Sequence, residues 1–255
     1  EKLALRREEQ EKETRKNNQK ILMHEITQIR KLSVWIFFIP LIAINLCLFI
    51  SQNPDFLENT LFKVDQIGRS AFSIPYLDGS LSISRASRTY PQYLIFKPAM
   101  WLTAILLFFY WKNNNNLINN LKDTNFNYKF KTFGILSAVF LAIHSVFLGI
   151  KFDIQLYKLF RRVVLLLFII FEIIAQGILV YHFFKIKGKL ENLINKKVLF
   201  FKMILVSILA TVGILSLPIL LQSGNTHFKH ALEWNYFVGV ILFYLFSRFF
   251  WRRTT

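Results

Sequence analysis

Two short stretches of this chain carry the residue types that recognise anions and move protons. The first is Ser82-Ile83-Ser84-Arg85-Ala86-Ser87-Arg88-Thr89-Tyr90-Pro91, with two guanidinium groups among closely spaced hydroxyls. Arginine offers a rigid fork of donors that matches phosphate or carboxylate oxygens, so this composition suits a phosphate or a phospholipid headgroup. The second is His227-Phe228-Lys229-His230-Ala231-Leu232-Glu233, which places two imidazoles three residues apart ahead of a carboxylate. Residues three apart share a helical face, so His227 and His230 point the same way if a helix begins that early. His144 and Asp153 flank a further apolar run. Adding His144 or Glu233 to the histidine pair would approach a zinc-like donor set. There is no HExxH pattern and Cys47 stands alone, so no metal and no cofactor is expected. A glycine-rich phosphate loop, a GxSxG elbow and a Ser/His/Asp order are likewise missing.

The elements that would position these residues are apolar runs of membrane length. Six are visible, at 34–50, 93–111, 133–150, 163–184, 198–221 and 231–251. About 20 apolar residues at 1.5 Å each cross a hydrocarbon core of about 30 Å. The first is the shortest and contains Pro40 and Asn45. The expected fold is all-α: a six-transmembrane-helix bundle occupying 33–255, preceded by a charged cytoplasmic helix over 1–32. The long connection 51–92 contains Pro54, Gly68, Pro75, Gly79 and Pro91, which break any long helix. Because both its ends return to one membrane face, it forms an outer cap between the first two spans. The asparagines Asn113 to Asn116, Asn119 and Asn120 read as a polar turn between spans two and three.

The formal charge of +17 is compatible with nucleic acid, but in a polytopic chain it reflects anionic lipid and topology instead. With the N-terminus placed inside, 22 of the 32 Lys and Arg fall on inner segments and 10 on outer ones. Both termini are therefore expected in the cytoplasm of an integral membrane protein. Lys151, Lys158, Arg161 and Arg162 run against the rule, whereas the inner segment 185–202, with its basic loop from Lys185 to Lys197 ahead of span five, follows it. Before the first span, Glu8 with Lys12 and Glu11 with Arg15 place acid ahead of base at helical spacing, while Leu3, Leu5, Ile21, Leu22, Ile26 and Ile29 form a patchy apolar face. This segment reads as a solvated helix, or one that meets anionic lipid or a partner. It has no signal-peptide pattern and no initiating Met, as expected of a fragment or a processed form.

Within the spans, Glu172 and Gln176 are out of place. An ionised carboxylate at mid-membrane costs a few kcal/mol, so Glu172 is expected to be protonated, paired or turned to a cavity rather than to lipid. Glu233 lies near a boundary, where Arg85 or Arg88 could pair with it and tie the first loop to span six.

The span order, a first loop running from Ser82 through Phe96, and a last span opening Ala231-Leu232-Glu233-Trp234 resemble the Frag1/DRAM/Sfk1 membrane proteins. In that family a serine segment, a proline and an apolar aromatic step precede span two, and Glu followed by Trp or Tyr opens span six. The matching positions are Ser82, Ser84, Pro91, Phe96, Glu233 and Trp234. The aspartate or glycine that often follows the serines is replaced here by Arg85 and Arg88. The resemblance implies a lipid-associated role, of the kind linked to GPI-anchor remodelling, phosphoinositide kinase recruitment, lipid asymmetry or lysosomal autophagy, more than an enzyme. The reading that follows is a membrane protein that binds or organises phospholipid through an outer-facing polar site. That site would be made of Ser82, Ser84, Arg85, Arg88, His144, Asp153, His227, His230 and Glu233. One alternative is an accessory subunit with protein partners in a membrane complex. The other is a lipid hydrolase using His227, His230 and Glu233.

Overall fold

The computed structural model describes residues 2–63, 72–121, 129–150, 155–222 and 224–252. Six long helices carry the fold: α1 (Lys2–Gln52), α4 (Gln92–Asn120), α5 (Lys129–Phe147), α6 (Gln155–Lys185), α7 (Lys196–Leu221) and α8 (Thr226–Phe250). Each packs on its neighbours in chain order, and α8 packs on α1, so the six close into a ring. They alternate in direction. The start of α4 meets the end of α5 through Lys97 Nζ donating to Val146 O at 3.2 Å. The start of α7 meets the end of α8 through Asn195 N donating to Phe250 O at 2.8 Å. The start of α1 and the end of α8 thus lie on one side of the ring's helix junctions, and the described parts of the 51–92 connection lie on the other.

Five of these helices, α1, α4, α5, α6 and α7, are both long and apolar enough to cross a membrane. The sixth, α8, has the length, at 25 residues, but not the apolarity. Lys229, His230, Glu233, Asn235, Ser247 and Arg248 dilute it. The ring presents Trp35, Ile42, Trp101, Ile105, Phe200, Ile208 and similar side chains outward, while the interior is also apolar apart from the groups described below. A helix set that is apolar both inside and outside is what a lipid solvent requires.

Two boundaries differ from those expected. The charged N-terminal segment and the first span are one unbroken helix, with Pro40 inside it. Its lower part is not simply solvated, since Ile26, Ile29 and Ser33 are buried, while Ile21 stays exposed. Glu8 and Lys12 pair at 3.0 Å; Glu11 and Arg15 have side chains outside those described. The asparagine run is not a turn. It continues α4 to Asn120, because Leu117 and Ile118 are fully buried and Asn114 Nδ2 bonds Tyr110 O one turn back at 2.8 Å. Burial of that apolar pair outweighs the modest helix propensity of asparagine. Lys202, counted among the basic residues of the inner side, lies in the second turn of α7 and is 1% exposed.

The 51–92 connection is partly helical. After a 3-10 turn at Pro54–Leu57 come α2 (Pro75–Asp78) and α3 (Ile83–Ser87). Short helices fit between its prolines, and Gly79 ends α2 in the left-handed conformation at φ 60°, which glycine adopts without strain.

Candidate functional site

The polar residues singled out in the sequence divide into three groups with different surroundings. The first clamps the connection to α8. His227 Nδ1 meets Asp78 O at 3.2 Å, and His230 Nδ1 meets Gly79 O at 3.0 Å. The Trp234 indole donates to Leu81 O at 2.7 Å, and Asn235 Nδ2 donates to Tyr76 O at 2.7 Å. Tyr76 in turn stacks on Trp234, with centroids 4.8 Å apart, and its hydroxyl donates to Asn45 of α1 at 3.0 Å. The helix α8 begins at Thr226, so both histidines do share one face. That face, however, reads backbone carbonyls of the cap. Among the described residues no group of three His, Cys, Asp or Glu comes together to hold a metal.

Asp78 belongs to the same clamp. Its carboxylate accepts the backbone N–H of Ser80 at 2.8 Å and of Ile74 at 2.9 Å. The Ser80 N–H above all holds it below the ordinary carboxylate range.

Glu233 also turns to the cap, but not to an arginine. Its carboxylate faces the backbone N–H groups of Ile83 and Ser84, the first turn of α3, whose N-cap is Ser82. Among the described residues no ion pair joins Glu233 to Arg85 or Arg88. The expectation of an arginine partner is corrected by simple geometry: the unpaired amides that open a helix lie nearer than the long side chains that project beyond it.

Those arginines form the second group. Arg88 lies within electrostatic reach of Arg85 and of Arg161 from the first turns of α6. Arg161 Nη2 approaches Ser84 Oγ at 3.4 Å, at the long limit for a hydrogen bond. Arg161 Nε is buried without a hydrogen-bond partner, and so is Nδ1 of His144, which sits buried at the end of α5 within reach of the same charge. Three guanidinium groups therefore gather at the cap end, and among the described residues no carboxylate is bonded to any of them. Asp153, expected here, lies outside the described residues. Arg161 was not singled out in the sequence. The signal was present in its breach of the basic-residue bias.

The third group lies inside the ring. Glu172 is 0% exposed. Its Oε1 accepts from Tyr244 OH of α8 and from Gln176 Nε2 at 3.0 Å, and its Oε2 lies 2.5 Å from Ser137 Oγ of α5. Gln176 Nε2 also reaches Val240 O at 3.2 Å. Beside this knot, the Tyr110 and Tyr244 rings pack edge to face at 4.9 Å. Tyr110 OH pairs with Ser247 Oγ at 2.9 Å, and Ser247 Oγ accepts from Lys202 Nζ at 2.7 Å. Lys202 Nζ also rests over the rings of Phe243 at 3.9 Å and Phe250 at 5.3 Å. Thus α4, α5, α6, α7 and α8 each contribute to one polar core. The sequence pointed to Glu172 and Gln176 only, because their partners are ordinary serines and tyrosines until the helices are assembled.

No protein-family model, no curated protein and no solved structure matches this chain.

Proposed function

We propose that this protein is a six-span membrane protein that binds an anionic phospholipid headgroup through Arg85, Arg88 and Arg161, with Ser84 and His144 beside them. In this reading α8 is the sixth span, made tolerable by turning its polar residues to the cap and the core. The observation that carries the reading is the arginine cluster: three like charges lie together while Arg161 Nε and His144 Nδ1 remain buried and unpaired. Like charges held together repel, and a buried donor such as Arg161 Nε without a partner costs about 1–3 kcal/mol. A phosphate would relieve both at once, and arginine forks suit its oxygens. The resemblance to Frag1/DRAM/Sfk1 proteins points the same way, through two short motifs. The hydrolase reading is less favoured, because His227, His230 and Glu233 are engaged in holding the cap.

The test is retention of lipid by the purified protein. Native mass spectrometry after extraction should find an anionic phospholipid on the wild type. Arg88→Gln and Arg161→Gln should each weaken it about tenfold or more, the loss expected for one charge-assisted hydrogen bond. Equal retention in all three proteins would refute the site. A stoichiometric protein partner with no lipid would favour the accessory-subunit reading instead.

In this reading the cap faces away from the cytoplasm and both termini lie in it, following the basic-residue bias. Cysteines introduced at Ser80 and at Lys12 should be modified by an impermeant reagent from opposite sides of the membrane. Modification of both from one side would overturn the topology.

A further inference from the structure

The polar core is separate from the arginine cluster and asks for its own account. Serine, asparagine and tyrosine suffice to bond helices together in lipid, so fixing the bundle does not require a carboxylate and an ammonium. A count of hydrogens shows what the carboxyl adds. Ser137 Oγ has one proton and two oxygen neighbours, Gly134 O at 2.8 Å and Glu172 Oε2 at 2.5 Å. If Ser137 donates to the Gly134 carbonyl, which cannot donate in return, the hydrogen between Ser137 and Oε2 must sit on Glu172. If Glu172 is ionised, Ser137 must turn its hydrogen away from Gly134 and onto Oε2. Both arrangements fit the same heavy atoms, and they differ by one proton.

The surroundings are suited to both states. Tyr244 OH and Gln176 Nε2 donate to Oε1 in either. The Trp111 indole N–H lies beside the carboxyl, buried and without a completed hydrogen bond, a spare donor for the charged form. The titratable groups facing Glu172 from the packed helices are Tyr110 on α4 and Tyr244 on α8, with Lys202 on α7 reached through Ser247 and Tyr110. On α5 the facing group is Ser137, which does not titrate in water. On α6 itself the next titratable groups are Tyr181, which is exposed, and His182, buried ten residues on and against the Phe130 ring. On α1 the buried Cys47 lies at the cap end, where it meets Gln92 O. Lys202 has no bonded carboxylate among the described residues. Its Nζ lies against two aromatic faces and one hydroxyl, the surroundings that an ammonium can use.

We propose that Glu172 is a reversible proton-binding site within the bundle, its two states distinguished by the direction of the Ser137 hydroxyl and its charged form balanced by Lys202 across the intervening hydroxyls. Release breaks the Glu172 O–H bond and sends the proton to the medium, while Ser137 exchanges one acceptor for another. No other bond changes. The ligand is the proton, so the site would couple whatever the bundle does to pH.

Infrared difference spectroscopy on the full chain in lipid nanodiscs tests this directly. A deuterium-sensitive carbonyl stretch of a protonated carboxyl should fade as pH is raised. It should be absent in Glu172→Gln, kept in Glu233→Gln, and moved in frequency in Ser137→Ala, which removes a hydrogen-bond partner but not the acid. A band that survives Glu172→Gln, or the lack of any pH-dependent carboxyl band in the wild type, would overturn the proposal. Should Glu172→Gln fail to fold, Ser137→Ala decides: an unmoved band means that the acid being read is not Glu172. Neither readout depends on lipid retention, so this site and the arginine cluster stand or fall separately.

Discussion

Trp234→Ala is expected to release the cap and to destabilise the protein by about 3–5 kcal/mol, the usual cost of removing a fully buried large aromatic side chain. Trp234 is completely buried, stacks on Tyr76 and donates its indole N–H to Leu81 O at 2.7 Å. It therefore joins α8 to both sides of the Gly79 turn. Trp234→Phe separates the two contributions. It keeps most of the ring and deletes the donor, so it should lose about 1–3 kcal/mol for the unpaired Leu81 carbonyl. Thermal unfolding in detergent, with limited proteolysis of the 72–91 segment at each temperature, gives both the size of the loss and its location. If the alanine protein melts with the wild type, the cap is not held by this residue.

Gly79→Ala should come close to it, with a loss of about 3 kcal/mol. An alanine Cβ at this position would lie 1.7 Å from the backbone oxygen of His227, and φ is 60°. The left-handed conformation alone costs a residue with a Cβ about 1–2 kcal/mol, and forced overpacking adds about 1–3 kcal/mol. The obstacle is backbone, so no rotamer change relieves it. The cap must lift, and the contacts of His227 with Asp78 O and His230 with Gly79 O go with it. Gly188→Ala is the control. A Cβ there meets nothing within 4 Å, so that protein should be unchanged or slightly more stable. Equal melting temperatures for the two alanine variants would show that the close approach of the cap to α8 is not what ties them.

Read along the chain, the apolar runs marked the places of the long helices, five of which are apolar enough to cross a membrane, because a stretch about 20 residues long with few charges has few alternatives to a helix in lipid. The breakers in 51–92 marked the stretch where no long helix runs between α1 and α4, for the same kind of local reason: proline and glycine act on their own backbone. Glu172 stood out by the cost of its charge, which is a property of one residue and its depth. Other features were invisible because they depend on what lies opposite. The asparagine run stays helical only since Leu117 and Ile118 find a place in the core. Lys202 was one more inner-side basic residue until α8 supplied Ser247, Phe243 and Phe250 around it. Glu233 was expected to pair with an arginine seen in sequence, and the structure turned it to backbone amides, which every residue carries and no sequence singles out. Arg161 joined Arg85 and Arg88 from more than seventy positions away. Periodicity and local chemistry set the elements of this protein. The partners across helices, and with them both candidate sites, came from packing, because hydrogen bonds and Coulomb forces act over a few ångströms of space and are indifferent to separation along the chain.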